Sequence, residues 1–115
     1  MAKSAAAWEG RRALTDNPAT SPETFKAAAR KLMELDQLSE ASIFFALAKD
    51  EDGLHEIINK AAEEGNFFVF QGAAARLADP KTISRDQVST LKAAAEKNGR
   101  ALYAEKAAAY LEDNF

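Results

Sequence analysis

The sequence predicts an all-α fold, an αα-hairpin repeat solenoid of about six to seven short helices, and three observations predict it. Alanine supplies 26 of the 115 residues, against two Val, four Ile and five Thr; alanine favours helices, whereas β-branched residues favour strands. Apolar residues recur at helical spacing, with no sustained alternation of the kind a half-buried strand shows. Finally, FKAAARK at 25–31, INKAAEE at 58–64 and LKAAAEK at 91–97 follow one another at equal intervals. A two-helix unit of that size cannot bury its apolar stripe alone, and stacking neighbours buries it. The chain 1–115 therefore reads as one helical-repeat domain, with a capping helix over 1–18 and hairpins over 21–52, 53–84 and 85–115.

Capping chemistry sets the elements in order. Ser21-Pro22 places an N-cap serine before a proline at the first helical position, and the helix runs to about Leu35 with Phe25, Ala28, Ala29, Leu32 and Leu35 on one face. After a turn at Asp36-Gln37, Leu38 to about Lys49 forms a second helix burying Leu38, Ala41, Phe44, Phe45 and Ala48. Asp50-Glu51-Asp52-Gly53 breaks it and supplies acids to the next N-terminus, where the helix dipole favours them. A third helix spans about Leu54–Glu64 and ends at Gly65-Asn66. The fourth runs from Phe67 to about Ala78 and stops at Asp79-Pro80. Ser84 with Gln87 three residues on forms a capping box for the fifth, which ends at Asn98-Gly99; the sixth reaches the C-terminus. Phe25, Phe44, Phe45, Phe67, Phe68, Phe70 and Tyr103 fill the space between layers. Chance also generates KAAA matches in an alanine-rich chain, so spatial equivalence of the three segments is the test of the repeat.

Composition bounds the partners. The formal net charge is −3 and the pI about 5.2, which supplies no basic footprint for nucleic acid and no cationic block for a membrane surface. No apolar run approaches the length of about 18 residues needed to span a bilayer. With no cysteine there is no disulfide framework and no thiolate site. The opening MAKSAAAWEGRR lacks the apolar stretch of a secretion signal, and the expected compartment is the cytoplasm.

Little in the sequence carries chemistry. His55-Glu56-Ile57-Ile58-Asn59 approaches the HExxH zinc motif, but Asn59 stands where the second imidazole belongs. Lys49-Asp50-Glu51-Asp52-Gly53 resembles part of a calcium loop, yet Ala48 and Asn59 occupy positions that need acids. Phosphate-binding glycine loops and the Gly-x-Ser-x-Gly elbow do not occur. Phe67, Phe68 and Phe70 lack the basic groove of a base-stacking platform and read as core. The expectation is a non-enzyme, with no cofactor and no metal.

From Phe25 to Ala48 the chain resembles a tetratricopeptide repeat. Phe25, Ala28, Ala29 and Leu32 match the pattern of its first helix, and Ala41, Phe45 and Ala48 that of its second. RRALTDNP at 11–18 looks like the close of a preceding unit, so the chain is expected to open with the second helix of an incomplete repeat. The later part also resembles ankyrin repeats, through AAEEGN, the Ala78-Asp79-Pro80 run and STLKAAAEKNG. Thr90 and Lys92, however, replace that family's proline and histidine, and the 50–53 junction is short. Conversely, the loop around Asp79–Ser84 is long for a tetratricopeptide junction. Both resemblances imply stacked helical hairpins that bind proteins.

The tetratricopeptide likeness implies a groove lined by each unit's first helix. It assigns Lys26, Arg30, His55 and Asn59 to a peptide-binding face for an acidic or C-terminal peptide, with Ser89 and Ala93 at the third unit. A solvated face with helix-spaced charges is the plainer reading of the same residues. Two other functions stay open: self-association through a C-terminal helix exposing Leu102, Tyr110, Leu111 and Phe115, which makes the chain a homo-oligomer, and a small-molecule-binding or enzymatic bundle using Trp8, His55 and the acids near Asp52.

Overall fold

The computed structural model describes residues 21–115. The capping helix expected over 1–18, RRALTDNP within it, and Trp8 lie outside the described residues. Within them are six α-helices and one short 3-10 turn: α1 Pro22–Glu34, α2 Leu38–Leu47, α3 Glu51–Glu64, α4 Phe67–Ala75, the turn Pro80–Thr82, α5 Arg85–Lys97 and α6 Ala101–Asn114. No strand occurs among these residues.

Side chains open most of these helices. Ser21 Oγ accepts the Thr24 N–H, Asp50 Oδ1 the Gly53 N–H, Asn66 Oδ1 the Val69 N–H and Ser84 Oγ the Gln87 N–H, each satisfying a donor that helical geometry leaves free. The Ser84 box is complete, because Gln87 Oε1 accepts the Ser84 N–H at 2.8 Å. Left-handed residues follow the first helix of each pair: Asp36 at φ 59°, Gly65 at 69° and Gly99 at 71°.

Two expected boundaries move. The acidic run does not break the chain at Gly53: α3 begins at Glu51, with Asp50 as its N-cap. Gly53 sits in the first turn because a Cβ there would lie 2.3 Å from the Phe45 ring; it is a close-packing residue. The fourth helix ends at Ala75, not Ala78, with Arg76 as C-cap, and the Leu77 N–H bonds back to Ala74.

The helices pair as α1/α2, α3/α4 and α5/α6, and substantial packing then joins neighbouring pairs, with α3 against α5, α2 against α3 and α4, and α4 against α6. The Cα trace measures 42 × 33 × 16 Å; its thin dimension fits two helix layers about 8–10 Å apart. Phe44, Phe45, Leu54, Ile57, Ile58, Phe70, Val88 and Leu91 are buried at its centre. Gly65 lets the end of α3 touch α5: a Cβ there would stand 2.5 Å from the Ala95 backbone nitrogen.

Hairpins recur, but not at the even interval of the alanine segments. First helices begin at 22, 51 and 85 and second helices at 38, 67 and 101, so in both series the second step exceeds the first by five positions. The left-handed positions 36, 65 and 99 follow the same uneven steps. Phe25 therefore corresponds to Leu54 and Val88, where the KAAA match had set it against Ile58 and Leu91. The three alanine segments do lie in the three first helices, with the first offset from the second by one helical turn. The additional residues of the longer step lie in the connection Arg76–Ser84, which carries the 3-10 turn.

Candidate interaction surface

The four residues assigned to a peptide-holding face occupy matched positions on α1 and α3. Lys26 corresponds to His55 and Arg30 to Asn59, since each pair is separated by the step between the starts of the two helices. Three of the four, however, are engaged between elements.

Arg30 donates through Nη1 to Glu56 Oε2 and through Nη2 to Glu56 Oε1, the latter at 2.9 Å. Its guanidinium also lies 5.4 Å from the Phe45 ring centre, a cation–π arrangement. The bidentate bond holds the Glu56 carboxyl below its ordinary range and raises Arg30. On α3, Asn59 Oδ1 accepts from Gln87 Nε2 at 2.8 Å. Gln87 Oε1 is already committed to the Ser84 N–H, so the capping box of α5 orients the amide that bridges back to α3. His55 Nε2 is 2.9 Å from Thr82 Oγ1, and that hydroxyl donates to the Asp79 carbonyl at 2.8 Å. Thr82 has one proton to give, so His55 must carry hydrogen on Nε2 and donate. Lys26 pairs with Glu23 of its own helix at 3.7 Å.

Glu51 Oε1 accepts the Ala78 N–H at 3.0 Å, and Asn98 Nδ2 donates to the Glu64 carbonyl at 3.2 Å. These bonds tie α3 to the 76–84 connection and to the end of α5. Together with the Arg30, Asn59 and His55 contacts they fasten each hairpin to the next by polar side chains. Sequence spacing aligned the row but did not reveal its occupancy, because the partners Glu56, Thr82 and Gln87 come from other helices and turns.

Two of the three acids of 50–53 are likewise occupied by structure: Asp50 caps α3 and Glu51 holds Ala78. Among the described residues no group of three or more His, Asp or Glu side chains is placed to hold a metal. No helix there is long and apolar enough to cross a membrane.

The open surface lies on the other layer. Two contiguous hollows of about 350 and 360 Å³ run between α2 and α4 and share Ser39 and Val69. One end carries Asp36 and Glu64, the middle Ile43 and Gly72, and the far end Arg76. Arg76 Nη1 donates to the Gly72 carbonyl at 2.9 Å, which lays its guanidinium along the groove. At the rim stands Phe68, 66% exposed.

This corrects the expectation that Phe67, Phe68 and Phe70 are all core. Phe67 and Phe70 are buried, but adjacent helical residues point about 100° apart, so Phe68 faces out. On α6, Tyr110 and Leu111 are partly buried against the core, with Tyr110 edge-on to Phe70 at 5.7 Å. Of that helix and its C-cap only Leu102 and Phe115 remain exposed large apolar residues; the outward side otherwise presents Glu105, Lys106, Glu112 and Asp113. No family model, curated protein or solved structure matches this chain.

Proposed function

We propose that this chain is a non-enzymatic interaction module, a short tetratricopeptide-like stack of helical hairpins that holds a peptide or protein on its surface. The observation that carries the reading is Phe68: a large aromatic side chain two-thirds exposed beside an open, partly apolar groove. Aromatic anchors that become buried among polar groups dominate the binding energy of protein interfaces, and among the described residues Phe68 is the most exposed of the large apolar side chains. The polar fastenings between hairpins support the same reading, because a rigid scaffold lowers the ordering cost of binding. In this account Arg30, His55 and Asn59 contribute by holding the stack together, Lys26 pairs within its own helix, and the α2/α4 groove meets the partner.

The test is selection of a displayed peptide library, acidic C-terminal sequences included, followed by amide-resolved NMR titration. Shifts at Ser39, Ile43, Val69 and Gly72 that vanish in Phe68→Ala are expected. Enrichment of nothing, or shifts that survive Phe68→Ala and vanish in Lys26→Ala/Arg30→Ala, would overturn the assignment to this groove.

A further inference from the structure

We infer that the α2/α4 groove is built to receive a second copy of this chain, with α4 crossing its two-fold mate in antiparallel fashion. The inference rests on the groove being a binding surface, and names its occupant.

One face of α4 carries both a knob and a hollow. Phe68 protrudes at the groove rim, 66% exposed. One turn along α4, Gly72 leaves the floor bare: a Cβ built there would meet a single neighbour, Arg76 Nη1, at 3.9 Å. A two-fold interface is self-complementary, so whatever a surface inserts it must also accept. Phe68 of each copy entering the Gly72 hollow of the other satisfies that condition, with Ile43 and Val69 as apolar walls.

The groove is acidic at the end bearing Asp36 and Glu64 and basic at the Arg76 end. Antiparallel pairing about a point near residue 70 sets Phe68 opposite Gly72, and the same symmetry brings Arg76 toward the Glu64 end. A parallel arrangement would set like charges together. The knob–hollow match and the charge match thus select one orientation independently. Arg76 keeps donors beyond the one used on Gly72, in a group suited to planar carboxylate recognition.

Among the described helices α4 is the middle one of its layer, between α2 and α6, so a copy seated there meets neither end of the row first.

The experiment needs no ligand: the full chain is followed by light scattering and analytical ultracentrifugation across a wide concentration range. The wild type is compared with Phe68→Ala, Gly72→Leu, Arg76→Glu and Arg76→Glu/Glu64→Arg. Far-ultraviolet circular dichroism checks folding; Phe68 is exposed and space lies above Gly72, so the first two variants should fold. A wild-type dimer is expected, weakened about a hundredfold or more by Phe68→Ala, since each substitution acts twice per dimer. Gly72→Leu fills the hollow and should disrupt it as well; Arg76→Glu should weaken it and Arg76→Glu/Glu64→Arg restore it. A monomer at every concentration overturns the inference. So does a dimer indifferent to all four variants, which would place the contact elsewhere. A monomer whose groove amides still respond to a selected peptide overturns the second copy alone and leaves the interaction module standing.

Discussion

Arg30 on α1 and Glu56 on α3 clasp each other through both carboxylate oxygens across the first two hairpins. The pair is about half exposed, so water and salt screen it, and such pairs typically contribute between about 0.2 and 1 kcal/mol. Glu56→Gln should lower stability by about 0.5 kcal/mol near neutral pH. The sign with pH follows from the direction of the shift. Glu56 is held below its ordinary value in the folded chain, so its contribution is present above the unfolded value, about 4.3, and is lost as pH falls through the folded one. Urea denaturation at neutral and acidic pH checks this: the gap between wild type and Glu56→Gln should narrow in acid, and a constant gap would count against the ion pair as its source.

Gly65 and Gly99 separate backbone strain from packing. Both adopt left-handed backbone, at φ 69° and 71°. Added to Gly99, a Cβ meets nothing within 4 Å; added to Gly65, it meets the Ala95 backbone nitrogen at 2.5 Å. Gly99→Ala should cost about 1 kcal/mol, the conformational penalty alone. Gly65→Ala adds an overpacking penalty of about 1–3 kcal/mol, because the obstacle is main chain and cannot swing aside. Chemical denaturation of the two variants should rank them in that order, and equal losses would show that α3 and α5 do not meet as closely as described.

The same positions explain what the sequence made legible. Helix starts were readable wherever capping chemistry is local, as at Ser21-Pro22 and at Ser84 with Gln87. The interval between hairpins was not, because alanine matches survive a slip of one helical turn; the uneven steps show best in the left-handed positions 36, 65 and 99, the first of which is aspartate. Gly53 reads as a breaker beside three acids, and its reason, the Phe45 ring, comes from another helix. Lys26, Arg30, His55 and Asn59 could be aligned from the chain, yet the partners that engage three of them lie 26 to 28 residues away in sequence. The exposure of Phe68 follows only once the phase of a nine-residue helix is fixed by Phe67 and Phe70.

Tyr110 should make the fold sensitive to alkali. Its ring stands edge-on to Phe70, and burial pushes its phenol above the ordinary value. A raised folded value means that stability is whole below the unfolded value, about 10, and is lost as pH climbs through the folded one, because the unfolded chain ionises first. Tyr110→Phe keeps the ring contact and removes the proton, so it should flatten the alkaline limb. Ultraviolet titration of tyrosinate, with thermal melts on the alkaline side, checks both statements. An unchanged limb in Tyr110→Phe would assign the sensitivity to another group.

Glu51 offers the sharpest local test of how the long connection is held. Residues 76–84 contain the insertion that lengthens the second step, and the Ala78 N–H bonds to a carboxylate oxygen of α3. An amide bonded to an ionised acceptor resists exchange until that contact opens, and exposed loops otherwise open easily. Glu51→Ala removes the acceptor while leaving Asp50 to cap α3 through Gly53. Hydrogen exchange followed amide by amide should then show Ala78 losing protection, with α3 amides such as Ile58 unchanged. If Ala78 exchanges as slowly without Glu51 as with it, the connection is held by the burial of Leu77 and Ile83 and the carboxylate is incidental.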